Sequence, residues 1–205
     1  MKNNNTTEKN KMTGEEFVKI VEIQPDFCKN LTEPLEVTTY VDLYRENITH
    51  LSPLITFSGD NGIGCAAHFH SCKNLKIATG TYEGWVYFGN SGVEKIENLI
   101  VTGTDRVNNS ASFYGCKNLK VATGNYEGFV NFSKSGVETI KDLNAKETCF
   151  VGCKFRYLPR KYRLQPLKEI NLDEEEKEKW DNIEILTRNT INQLKQEDRE
   201  VWIEL

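Results

Sequence analysis

A β-rich solenoid, built as a right-handed stack of about six to seven short coils, is the fold class the sequence predicts. Three observations predict it. The 205-residue chain contains an internal repeat with a period of 44 residues. Each repeat divides into two similar halves, and neither half can bury an apolar face without a stacked neighbour. Phe, Cys and Leu recur at constant offsets within these halves, as the rungs of one continuous core require.

The repeat is legible residue by residue. Phe69-His-Ser-Cys72-Lys-Asn-Leu75-Lys-Ile77-Ala-Thr-Gly80 aligns with Phe113-Tyr-Gly-Cys116-Lys-Asn-Leu119-Lys-Val121-Ala-Thr-Gly124. Tyr82-Glu-Gly-Trp85-Val86 then aligns with Tyr126-Glu-Gly-Phe129-Val130, and Ser91-Gly-Val-Glu-Lys-Ile96 with Ser135-Gly-Val-Glu-Thr-Ile140. Cys28-Lys-Asn-Leu31 is a degenerate earlier copy, and Phe150-Val-Gly-Cys153 a truncated last one. The halves begin near Phe69, Phe88, Phe113, Phe132 and Phe150, in steps of 19, 25, 19 and 18 residues. Such steps lie close to the leucine-rich-repeat range of about 20–29 residues.

With these residues in place, the Phe-x-x-Cys-x-x-Leu pattern and its following Ile or Val resemble the BspA-like, or Treponema-type, leucine-rich repeats over roughly residues 26–159. The resemblance implies a leucine-rich-repeat-like solenoid; members of that family are often surface-exposed adhesins. Two departures stand out. The strict motif holds only in alternate halves, and the Tyr-Glu-Gly-aromatic segment is not a general family feature.

Four segments follow. Residues 1–12 form a polar tail expected to be disordered. Residues 13–25 form a helical cap, because Thr13-Gly-Glu-Glu16 has capping-box spacing and Phe17, Ile20 and Val21 share one helical face. Residues 26–160 form the solenoid. Residues 161–205 form a charged cap or docking segment, with a helix expected from Asp173 to Gln196 and an alternating tail, Glu200–Leu205, that reads as a strand or docking peptide.

Composition narrows the function. The net charge of -4 argues against a nucleic-acid binder. No stretch is long and apolar enough to cross a bilayer as a helix. The polar N-terminus lacks the apolar core of a secretory signal, so a cytoplasmic location or delivery by a non-classical route is expected. Cys28, Cys72, Cys116 and Cys153 read as buried thiols of the ladder, and all six thiols are expected to be free. Equivalent rungs one repeat apart lie about 9.6 Å from each other, beyond the roughly 7 Å a disulfide allows.

Alternation assigns the binding face. With Val86 and Phe88 inward, Trp85 and Tyr87 face outward, as does Phe129 in the next copy. Tyr82 and Tyr126 precede them at the Glu-Gly turns. The expected partner-binding file is therefore Tyr82, Trp85, Tyr87, Tyr126 and Phe129, since exposed aromatics favour interfaces. The alternative, that Trp85 and Phe129 pack beneath an adjacent segment, stays open. Cys65, His68, His70 and Cys72 have ligand chemistry suited to zinc. Cys72 belongs to the inward rungs while both histidines point outward, so no metal, cofactor or catalytic residue is expected. The reading is a non-enzymatic protein-binding module, an intracellular effector or inhibitor docking a partner protein on its aromatic face. The alternatives are a surface adhesin or carbohydrate-binding protein, exported without a classical signal, and an assembly subunit.

Overall fold

Thr13 caps the first helix. The computed structural model describes residues 10–153 and the backbone of three further strands, Tyr157–Pro159, Ile170–Asn171 and Trp202–Glu204. After a short strand β1 (Asn10–Met12) comes α1 (Gly14–Ile23). The Thr13 hydroxyl accepts the Glu16 amide at 3.2 Å, and the Glu16 carboxylate accepts the Thr13 amide at 2.7 Å. This capping box satisfies two amides that the first helical turn leaves unpaired. The helix buries Phe17 and Val21, with Phe17 edge-on to Phe57 at a centroid distance of 5.6 Å.

From Leu35 onward the chain alternates between two sheets. The strands are β2 (Leu35–Val37), β3 (Val41–Asp42), β4 (Ile55–Phe57), β5 (Cys65–His68), β6 (Ile77–Tyr82), β7 (Trp85–Tyr87), β8 (Lys95–Val101), β9 (Asn109–Ser112), β10 (Val121–Tyr126), β11 (Phe129–Asn131), β12 (Thr139–Asn144), β13 (Glu147–Cys149), β14 (Tyr157–Pro159), β15 (Ile170–Asn171) and β16 (Trp202–Glu204). One sheet has the order β1-β2-β4-β6-β8-β10-β12-β14-β16, the other β15-β13-β11-β9-β7-β5-β3. Every pairing is parallel except β14 with β16. Helix α1 packs against β3, the terminal strand of the second sheet, in place of a further strand.

This arrangement corrects the expected β-rich solenoid, a leucine-rich-repeat-like, right-handed stack of about six to seven coils. A leucine-rich repeat supplies one strand per unit. Here each half-repeat supplies two, one to each of two mostly parallel sheets, with a single α-helix among the described residues. The hidden strands are those of the first sheet. Relative to β6 and β10, strands β8 and β12 each carry one extra residue, and Asn98 and Asp142 take positive φ there. A bulge of this kind breaks period-two alternation and disguises a strand. The helix expected from Asp173 to Gln196 lies outside the described residues. The tail contributes β16, antiparallel to β14.

The core lies between the sheets and is continuous from Phe17 to Cys153. Its main file is Phe69, Phe88, Phe113, Phe132 and Phe150, all fully buried, with neighbouring rings stacked 5.1–5.2 Å apart. Val86 and Val130 also point inward as expected.

Candidate interaction face

Parallel register decides which side chains meet on the outside of the second sheet. One outward file runs Asp42, His68, Tyr87, Ser112, Asn131 and Cys149 across β3 to β13. A second includes Cys65 beside Trp85, then Asn109, Phe129 and Glu147. Just past the strands the chain turns outward again at Tyr44, His70, Gly89 and Tyr114. Successive turns are tied together, the Arg45 amide donating to the His70 carbonyl at 2.9 Å and the Ser71 amide to that of Gly89 at 2.9 Å. Arg45 and Ser71 adopt the same φ of 62° in them.

Register thus gathers five rings at the β3 end of the sheet. His68 stacks on Tyr87 at 5.1 Å and His70 on Tyr87 at 5.3 Å. Tyr44 covers the opposite side, 5.3 Å from His70 and 6.3 Å from His68, and is itself covered by the Arg45 guanidinium at 4.8 Å. Trp85 lies 5.5 Å from Tyr87. Gly89 makes room for this, because a Cβ there would stand 2.5 Å from the Tyr87 ring. His68 Nδ1 lies 3.2 Å from an Asp42 carboxylate oxygen, which orients that imidazole. Burial, followed by the nearby His68, Lys73 and Arg45, holds His70 below the usual imidazole range. The Trp85 indole N–H is shielded from solvent without a hydrogen-bond partner, an arrangement that usually costs stability.

Three of the five expected face residues are where the alternation put them: Trp85, Tyr87 and Phe129 are half-buried on the outer face. Phe129 stands apart from Trp85, with Asn109 between and Glu147 beyond. Tyr82 and Tyr126 are corrections. Both are buried, Tyr82 completely, and belong to the inward file that includes Phe57 and Val101. The Tyr82 hydroxyl donates to the Thr79 carbonyl at 3.1 Å and that of Tyr126 to the Thr123 carbonyl at 2.9 Å. A phenol whose oxygen finds a backbone acceptor can be buried whole. Gly80 and Gly124, at φ +99° and +118°, form the backbone that each ring folds over.

Tyr44 is the member that strand-by-strand reading missed, and the histidines, read there as outward, join the rings. The signal for Tyr44 was local: Val41 and Leu43 are buried while Asp42 and Tyr44 are exposed. The four residues weighed for zinc are divided between environments. Cys72 lies inward, its thiol donating to the Leu43 carbonyl at 2.7 Å, and Cys65 is buried, while the histidines line the outer face. Among the described residues no group of three His, Cys, Asp or Glu side chains is placed to hold a metal ion. None of their helices is long and apolar enough to cross a membrane. Comparison with protein-family models, curated proteins and solved structures finds no match, so the resemblance to BspA-like repeats rests on the residue pattern.

Proposed function

We propose that the chain is a non-enzymatic binding module that docks a partner protein on the outer face of the second sheet, centred on Tyr44, His68, His70, Trp85 and Tyr87. The observation that carries this reading is the five-ring cluster, held on a parallel sheet with Tyr44 45% exposed. Tyr and Trp on a preorganised surface give large contact area at little entropic cost. A sugar-binding face is less well supported. The Tyr44, His68, His70 and Tyr87 rings lie against one another, with centroids 5.1–6.3 Å apart and interplanar angles of 7–31°, whereas a pyranose needs an open ring face. An enzymatic role also finds little support. The Cys28, Cys65 and Cys72 thiols are pushed up to about 12 by burial, which removes the thiolate a nucleophile needs.

Affinity capture from a cell lysate tests the reading, with wild type beside Trp85→Ala and Tyr87→Ala. Each variant should weaken partner capture by about 2 kcal/mol or more, with thermal stability nearly unchanged. Equal capture by all three proteins would overturn the assignment of the face.

A further inference from the structure

Beside the aromatic cluster lies a groove of about 540 Å³ between α1 and the β2–β3 segment. Its apolar surface comes from Val18, which packs partly against the core, and from the half-buried Tyr40 ring. The helix lies so close to the segment that a Cβ on Gly14 would stand 2.1 Å from the Tyr40 carbonyl oxygen. Of five charged side chains lining the groove, four are carboxylates, Glu15, Glu22, Asp42 and Asp60, against the single Lys19. Asp42 belongs to both surfaces, lining the groove and holding His68 of the ring cluster. The groove therefore continues the docking face rather than forming a separate site.

We infer that the partner docks through a segment carrying a Lys or Arg side chain, which fills this groove while a neighbouring apolar side chain rests on the rings. The inference builds on the docking reading above. Charge complementarity selects the occupant. A concave surface with an excess of carboxylates creates a negative potential that concentrates cationic groups, and Lys and Arg join a charged head to an apolar stem. The stem matches Val18 and Tyr40, and the head matches the carboxylate rim. A neutral or acidic segment would gain no charge pairing from the excess of carboxylates over Lys19.

Two capped tripeptides test this by amide NMR titration of the full chain: acetyl-Trp-Arg-Trp-amide and its neutral analogue with citrulline for Arg. The Arg peptide should shift the Val18, Tyr40 and Asp42 amides together with those of Trp85 and Tyr87, and should bind about fivefold more tightly than the citrulline peptide. Raising the salt from about 0.02 M to 0.5 M should remove most of that difference, through screening. In Glu22→Lys the two peptides should bind alike. That variant suits the test because Glu22 is exposed in the last helical turn, where a cation is favoured by the helix dipole. Equal affinity of the two peptides for wild type would overturn the inference. Shifts at Trp85 and Tyr87 alone would also overturn it while leaving the docking face standing. Shifts confined to the groove would support the cation site and count against the docking face.

Discussion

Cys116 shows how a single side chain serves the core between the sheets. Its thiol donates to the Phe88 carbonyl at 3.2 Å and lies 3.5 Å from the Ser91 hydroxyl. Cys153 repeats this with Phe132 at 3.1 Å and Ser135 at 3.3 Å. Cys and Ser thus alternate along one buried file, and each thiol meets a carbonyl of the preceding layer. Cys116→Ser should cost only about 1 kcal/mol in urea unfolding, the low end for polar burial, because the carbonyl acceptor is already in place. Cys28, Cys65, Cys72, Cys116 and Cys153 are buried thiols outside any disulfide, and burial raises the pKa of each. In the native protein at pH 8, iodoacetamide should modify at most the half-buried Cys149, whereas all six thiols should react in denaturant. Labelling followed by mass spectrometry reads this directly. The linkage sign follows. The thiols' contribution to stability is fully present below the unfolded value of 9.0 and is lost as pH rises toward about 12.

Individual elements depend on how closely backbone approaches backbone. The Glu-Gly turn before β7 passes so near the previous layer that a Cβ on Gly84 would stand 2.4 Å from the Gly64 carbonyl oxygen. Gly128, 44 residues later, faces the Asn108 carbonyl oxygen at 2.3 Å. The Trp85 and Phe129 amides donate to those same two carbonyls at 2.7 and 2.8 Å. Gly84→Ala and Gly128→Ala should therefore each destabilise the protein by about 1–3 kcal/mol, the range for overpacking, measured as a fall in urea midpoint. At α1 the controlling feature is the capping box. Thr13→Ala removes the acceptor of the Glu16 amide and should cost about 0.5–2 kcal/mol. A thermal melt that does not move would show that packing of Phe17 and Val21 holds the helix without its cap.

Across the whole molecule, the core side chains and the outer ring cluster occupy opposite sides of the same strands. Phe88 stacks between Phe69 and Phe113, fully buried, while its neighbour Tyr87 belongs to the outer rings. Phe88→Ala should cost about 3–5 kcal/mol, whereas Trp85→Ala should change stability little. Chemical denaturation of the two variants side by side decides the point. An equal loss would place Trp85 in the structural core and count against the proposed docking face. Charged pairs repeat across layers as well, with Lys76 to Glu94 at 2.6 Å and Lys120 to Glu138 at 2.5 Å. At exposed positions such pairs contribute little, so the stacked apolar files carry the stability.

The sequence by itself determined the 44-residue period, the inward Phe file with its Cys rungs, the Thr13 cap, and the outward placement of Trp85, Tyr87 and Phe129. Each is written in local spacing, where period-two alternation and capping chemistry act over a few residues. Only the tertiary structure decided the two-sheet architecture, because the extra residues in β8 and β12 hide strands from any alternation test. It also decided that Tyr82 and Tyr126 are core, since each needs a carbonyl three residues back and a glycine to fold over. The ring cluster required more still. Tyr44, His68 and Tyr87 lie far apart along the chain and meet only because β3, β5 and β7 pair in parallel with a particular register. Alternation tells a residue which way to face; only the register of strands from different repeats tells it what it will stand beside.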